Sequence, residues 1–313
     1  MCSHERVCFR RKHREGEKLE RQQFNVLSTL AVSEGSSAER IAEDFGYSEE
    51  AVRQTIDELK ELGLAGVEGV TDKGTEALER YRVKRAVFIA AGFGSRLKPI
   101  TINTPKPLVR VHGVRIIDRL IDACLRVGIE EIFIVRGYLA EQFDQLRNKY
   151  PMIRFIDNNM YTEANNISSA VLAKDLLANA YVFEADLLLK NPVILKKYHY
   201  TSDFLAIKKE KSDDWCFRVE NDIIVEERVG GEGDDNWQMV GISYWDSADA
   251  KKLASDLPEV FMQPEGKNRY WEQVPLVYRK ENYQVEVSPC REEDIVEIDT
   301  FEELKAIDEL YNI

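Results

Sequence analysis

One stretch constrains this chain more than any other. Arg85-Ala86-Val87-Phe88-Ile89-Ala90-Ala91 is a short apolar run, and it stops at Gly92-Phe93-Gly94-Ser95-Arg96-Leu97-Lys98-Pro99-Ile100-Thr101. Such a run predicts a strand buried on both faces, as in the sheet of an α/β protein. A glycine-rich turn at the carboxyl end of that strand lies where α/β sheets bind their ligands. Gly92 and Gly94 let the backbone approach a polyphosphate and donate N–H groups to it. Arg96 and Lys98 add cations at the same mouth. Lys106, in Thr104-Pro105-Lys106-Pro107, is far enough along to curl back over a transferred group. The dinucleotide fingerprint GxGxxG fails because Leu97 holds its third glycine position, and the Walker pattern GxxxxGK[ST] is absent.

Downstream the pattern alternates. Ile132–Val135, Arg154–Ile156 and Ala180–Glu184 read as strands; a segment through Ile116 to Leu125, Ala140–Lys149 and Asn166–Leu177 read as helices. Leu108–Val111 reads as a small strand. Phe204–Lys208, Cys216–Glu220, Ile223–Val229 and Met239–Trp245 are strand-like, and Thr300–Leu310 is helical. The expected fold is α/β, a doubly wound, Rossmann-like mixed sheet.

Residues 17–83 form a separate unit in this reading. Three helices, a short two-stranded wing around Leu64–Thr71 and a closing helix resemble a winged helix-turn-helix domain. Its third helix carries Glu49, Glu50, Asp57, Glu58 and Glu61 against Arg53 and Lys60. Residues 17–84 hold 15 acids and 9 bases. A DNA reader needs cations facing phosphates, so the unit is assigned to docking, dimerisation or regulation. Residues 1–16 are expected to be a flexible basic tail, and residues 84–313 the catalytic domain.

The 313 residues carry a net charge of −13, which argues against coating nucleic acid or anionic membranes. No run of about 18 apolar residues predicts a membrane span. The five cysteines (Cys2, Cys8, Cys124, Cys216, Cys290) show no metal spacing, and free thiols in a reducing, cytoplasmic setting are expected. His4, His13, His112 and His199 show no catalytic or metal spacing and are read as structural or exposed.

GxGxR followed by Pro, Thr and Pro-Lys resembles the signature of sugar-phosphate-type nucleotidyltransferases. The resemblance covers roughly residues 84–313. It implies that Ala91, Gly92, Gly94 and Ser95 hold the nucleotide, that Arg96 and Lys98 neutralise its β- and γ-phosphates, and that Lys106 grips the phosphates where the new bond forms. Gly137-Tyr138 resembles the base-side loop. Bringing two phosphorylated substrates together calls for Mg²⁺ and about two carboxylates at strand ends. Asp186, after Tyr181–Ala185, and Asp299, after Val296–Ile298, are the expected ligands; Glu184 is a weaker candidate for their surroundings. Arg96, Lys106 and Asp186 are the expected catalytic residues.

Within that family, Tyr161-Thr162-Glu163-Ala164-Asn165-Asn166-Ile167-Ser168-Ser169 resembles the YxxxNNxxS stretch of bacterial choline-phosphate cytidylyltransferases. Asp214-Trp215, Gly241–Asp246 and Arg269-Tyr270-Trp271-Glu272 extend the match. The implied reaction joins CTP and phosphocholine into CDP-choline and pyrophosphate. A quaternary ammonium has no N–H donor and is held by aromatic faces. Trp215, Tyr270 and Trp271 are therefore expected to form a cage, with Glu272 as counter-charge and Asn166 and Ser168 alongside; Trp237 and Trp245 are read as packing. Here Asn268 and Arg269 precede the Tyr-Trp pair where the relatives carry an acid. Arg269 would repel a cation unless turned away, so 2-aminoethylphosphonate or phosphoethanolamine is the runner-up acceptor. A hexose 1-phosphate acceptor and a winged-helix regulator that senses nucleotide are the remaining alternatives. A homodimer is left open.

Overall fold

A computed structural model describes residues 18–33, 35–67 and 69–312. Cys2, Cys8, His4, His13 and the basic tail lie outside the described residues. The chain divides into two compact units, with the boundary between Arg82 and Val83.

In the first unit, α1 (Arg21–Val32), α2 (Ala38–Phe45) and α3 (Glu49–Glu61) pack on one another. Ser37 and Ser48 cap α2 and α3 by accepting from the Arg40 and Ala51 N–H groups. Two-residue strands β1 (Ala65–Gly66) and β2 (Gly69–Val70) pair antiparallel where a wing is expected, and α4 (Asp72–Leu78) follows the Thr71 cap. Leu27, Ile41, Val52, Leu59 and Leu78 form its core. Phe45, the last residue of α2 before Gly46, is 40% exposed. On α3, Arg53 pairs with Glu49 and Lys60 with Asp57, so both bases of that helix are already neutralised by neighbours.

In the second unit the apolar run becomes β3 (Arg85–Ala90). A short hairpin follows, β4 (Arg110–Val111) and β5 (Val114–Arg115), where a longer strand from Leu108 is expected; Lys106–Leu108 instead winds as a 3₁₀ turn with Pro107 inside it. Next come α5 (Ile116–Arg126), β6 (Glu131–Arg136), β7 (Arg154–Asp157), α6 (Ile167–Ala173), β8 (Ala180–Glu184) and β9 (Leu187–Leu189). Ala140–Asn148 is wound as 3₁₀ rather than α-helix. Four antiparallel-type strands follow, β10 (Asp203–Lys208), β11 (Lys211–Glu220), β12 (Ile223–Glu232) and β13 (Asn236–Trp245). The chain ends with α7 (Ser247–Phe261), β14 (Glu286–Cys290), β15 (Ile295–Glu297) and α8 (Phe301–Ile307).

Nine strands form the main sheet, in the order β10-β14-β12-β11-β13-β8-β3-β6-β7. β8, β3, β6 and β7 run parallel; β13 joins β8 antiparallel. The sheet is thus mixed, and β3 lies at its switch point, with β6 on one side and β8 on the other. Phe88, Ile134, Phe183 and Ile121 belong to the core on one face. Val87, Val135, Phe204, Phe217, Trp245 and Trp271 belong to the core on the other. His199 is buried, bonded to the Asp203 carboxylate at 2.5 Å and the Tyr181 hydroxyl at 2.6 Å, and stacked on Tyr244. It is a core histidine.

Candidate active site

The glycine loop leaves β3 at the switch point and opens a cavity of about 540 Å³. The cavity has two ends. Arg96, Lys106, Asp186 and Asp299, tied together by hydrogen bonds beside Gly92, Gly94 and Ser95, make the phosphate end; Trp215 and Tyr270, in ring contact, with Asp214 and Glu272 near them along the chain, make the aromatic end. Asn166 and Glu184 also line it.

At the first end a lysine is held between two acids. Lys106 Nζ donates to Asp186 Oδ2 at 2.8 Å and to Asp299 Oδ1 at 3.0 Å. Arg96 reaches the same Asp299 oxygen at 2.7 Å. Gly94 makes room for this: its φ is +59°, and a Cβ there would stand 3.0 Å from the Lys106 Cβ. Burial pulls the Lys106 pKa down, but Asp186 and Asp299 outweigh it and the net displacement is upward. The lysine is therefore a fixed cation at the phosphate end.

Among the described residues Glu184, Asp186 and Glu297 form a carboxylate trio, with ligand atoms within 4.8 Å of one another. Asp186 Oδ1 is buried with no hydrogen-bond partner, which is an oxygen free to accept a cation. An all-oxygen carboxylate set of this kind fits a hard divalent ion. Asp299 stands beside the trio, sharing Lys106 with Asp186, rather than within it. Glu297 was not anticipated, although it lies two residues before Asp299 on an extended segment, so both side chains project to one side. Burial first, then Asp186, Glu184 and Asp299, push the Glu297 carboxyl up to about 9. Burial and the neighbouring Glu272 and Asp186 hold Glu184 well above its ordinary value. Glu184 fits only because β13 carries a glycine opposite: a Cβ at Gly241 would stand 2.6 Å from Glu184 Oε2.

At the other end Trp215 and Tyr270 meet edge to face, ring centres 5.5 Å apart. Trp271, expected as a third wall, is 3% exposed and turned into the core, against Phe204 and Trp245. Its backbone N–H donates to Asn166 Oδ1 at 2.9 Å, so the segment is anchored while its ring faces inward. Asn166 Nδ2 lies 3.5 Å from both Glu184 Oε1 and Glu272 Oε2. Ser168 is also removed from the cavity: its hydroxyl donates to the Asn165 carbonyl and accepts from Asn158, which ties the Asn165–Asn166 turn. Arg269 points away, its guanidinium 3.8 Å over the Tyr278 ring and bonded to Gln263.

Of the remaining expected nucleotide residues, Lys98 is exposed and outside the cavity wall. Ala91 is buried, and its carbonyl accepts from the Tyr138 N–H at 3.1 Å. Gly137 and Tyr138 lie beside the glycine loop; the Tyr138 hydroxyl donates to the Thr101 and Ile102 carbonyls. These residues brace the loop from behind. Among the described residues no helix is long and apolar enough to cross a membrane.

Known proteins resemble this chain in sequence and in fold. The nucleotidyl transferase family profile matches residues 85–223. A 2-aminoethylphosphonate cytidylyltransferase of Lancefieldella rimae is 34% identical over 229 residues, 72% of this chain and 92% of the relative. A choline-phosphate cytidylyltransferase of Streptococcus pneumoniae is 32% identical over 232 residues, 72% of this chain and 97% of the relative. The solved structure of a CTP:phosphocholine cytidylyltransferase from Streptococcus pneumoniae superposes with a TM-score of 0.67 at 31% identity, covering 73% of this chain and 99% of that one. An inositol-1-phosphate CTP transferase from T. maritima shares the fold, with a TM-score of 0.60 at 17% identity. Since sequence similarity of that extent runs through nearly the whole length of such relatives, the chain belongs to the nucleotidyl transferase family.

Proposed function

We propose that the chain is a Mg²⁺-dependent cytidylyltransferase that joins CTP to phosphocholine, giving CDP-choline and pyrophosphate. The observation that carries this reading is the two-ended cavity: a lysine fixed between acids under the glycine loop at one end, and an aromatic pair with a carboxylate at the other.

The acceptor phosphate attacks the α-phosphorus. A new P–O bond forms, the α–β bond breaks, and pyrophosphate leaves with its electron pair. No protein nucleophile is needed, so the chain contributes position and charge. Backbone N–H groups of Gly92, Gly94 and Ser95 cradle the triphosphate. Lys106 neutralises the charge that builds where the bond is exchanged, and Arg96 takes the outer phosphates. Glu184, Asp186 and Glu297, with Asp299 beside them, would hold the ion, which supplies charge neutralisation between the two phosphorylated substrates. Trp215 and Tyr270 face the ammonium group, and Glu272 supplies the opposite charge.

A second reading keeps the chemistry and changes the acceptor. With Trp271 turned inward, two aromatic walls remain beside the carboxylates of Glu272 and Asp214, a setting that also suits a primary ammonium such as that of 2-aminoethylphosphonate. Pyrophosphate release, measured with four nucleoside triphosphates against phosphocholine, phosphoethanolamine, 2-aminoethylphosphonate and glucose 1-phosphate, separates these readings. Signal with CTP and phosphocholine supports the first reading. Signal only with primary amines supports the second, and signal only with the sugar phosphate overturns both.

The N-terminal unit we assign to docking or regulation, supported by the acidic face of α3. Duplex DNA binding that persists at about 0.15 M salt would overturn that assignment.

A further inference from the structure

The aromatic end of the cavity holds an excess of negative charge that the roles above leave unexplained. Glu272 is 3% exposed and reaches the cavity wall. Its side-chain hydrogen bond is a long one, from Asn166. Behind it lies Glu227, in β12. The β11–β12 register sets Glu227 opposite Phe217 and Val229 opposite Trp215. Glu227 and Trp215 therefore project from the same face of the sheet as near neighbours. Both Glu227 carboxylate oxygens are buried without a hydrogen bond of good geometry, Gln273 being the polar side chain that faces them. Burial pushes this carboxyl up to about 7, with the Gln273 side chain drawing it partly back. Burial first, then Glu227, pushes Glu272 up to about 8. Among the described residues no basic group is paired with either acid, and Arg269, close in sequence, is stacked on Tyr278 instead.

Two adjacent buried acids with no cation destabilise the protein that carries them. Their position explains the cost: they lie beside the Trp215–Tyr270 pair, where an incoming cation would be desolvated and close to both. We propose that Glu227 is a positioning and specificity-determining residue for the acceptor, acting through Glu272 to leave this end of the cavity with uncompensated negative charge, so that an acceptor with a cationic head group fits and a neutral one does not. The proposal rests on the acceptor occupying this end of the cavity, as the function above requires. A cationic head group supplies the opposite charge that no protein group supplies to these two acids; a neutral head group leaves them without it.

The test compares wild type, Glu227→Gln and Glu227→Asp in steady-state kinetics with CTP. Phosphocholine and 2-aminoethylphosphonate are each run beside an uncharged counterpart, 3,3-dimethylbutyl phosphate or propylphosphonate, and ligand-free melting is recorded. Glu227→Gln is expected to raise the cationic acceptor's KM about tenfold or more, with kcat and the CTP KM within about twofold. It should narrow the preference over the uncharged counterpart and melt at a higher temperature than wild type. Glu227→Asp should restore most of the preference. A purely structural Glu227 would give a lower melting temperature with KM and preference unmoved, and that result overturns the proposal. So does a Glu227→Gln protein that fails to fold, because loss of an unpaired buried acid is expected to stabilise. Wild-type protein silent with both cationic acceptors overturns the proposed function and this inference together; active wild type with an unmoved acceptor KM in Glu227→Gln overturns this inference alone.

Discussion

The two ends of one cavity differ in how their charge is balanced. At the phosphate end, Lys106 and Arg96 are bonded to Asp186 and Asp299. At the aromatic end, Glu272 and Glu227 have no basic partner among the described residues. The first end carries two fixed cations bonded to two of its acids, with Glu184 and Glu297 alongside for an ion to share. The second end is incomplete until a cation arrives. In the proposed function, chemistry and acceptor choice are therefore set in different places: the lysine-bearing end supplies the chemistry, and the aromatic end selects what the chemistry is done to.

Breaking the lysine-bearing end should have the largest effect. Lys106→Ala or Asp186→Ala is expected to lower kcat by about a thousandfold or more with far-UV circular dichroism unchanged; near-full activity in either variant would remove the end from the mechanism. The aromatic end should respond differently. Trp215→Ala is expected to raise the acceptor KM by roughly one to two orders of magnitude and the CTP KM little, and equal effects on both would erase the distinction between the ends. Gly241→Ala tests the joint between them, because the added methyl meets Glu184. It should cost about 1–3 kcal/mol of stability in urea titration.

Stability against pH sharpens the contrast. Glu227 and Glu272 sit at about 7 and about 8 in the folded protein, above the ordinary 4.5. Between those values the folded state binds more protons than the unfolded state, so stability falls as pH rises. Ligand-free protein is expected to melt several degrees lower at pH 8.5 than at pH 5.5, and Glu227→Gln should flatten part of that slope. The smallest effect is expected from Arg269→Ala: with the guanidinium on Tyr278, the acceptor KM should change less than about threefold.

Much of this was legible in the sequence. β3 and its loop follow from one apolar run ending in glycines, and the alternation after it gives a mixed sheet. What was not legible depends on rotation about an element's own axis. Trp271 sits beside Tyr270 in sequence, yet its ring faces Phe204 and Trp245; adjacency cannot say which of two neighbours faces the ligand. Ser168 belongs to a motif and serves the turn rather than the cavity. Glu227 had no signal, because an acid in a strand normally reads as solvent-facing and only the Phe217 register shows its side to be buried. Helix α7 carried a signal that went unread, an Asp246 cap and apolar Ala250, Leu253, Leu257 and Val260.

The central claim is a nucleotidyl transfer from CTP to a cationic acceptor, and ³¹P nuclear magnetic resonance tests it most directly. Protein incubated with CTP, phosphocholine and Mg²⁺ should convert the phosphocholine signal into the paired diphosphate signals of CDP-choline, with one pyrophosphate per product. Release of orthophosphate alone, or an unchanged spectrum with phosphocholine and 2-aminoethylphosphonate alike, would contradict it.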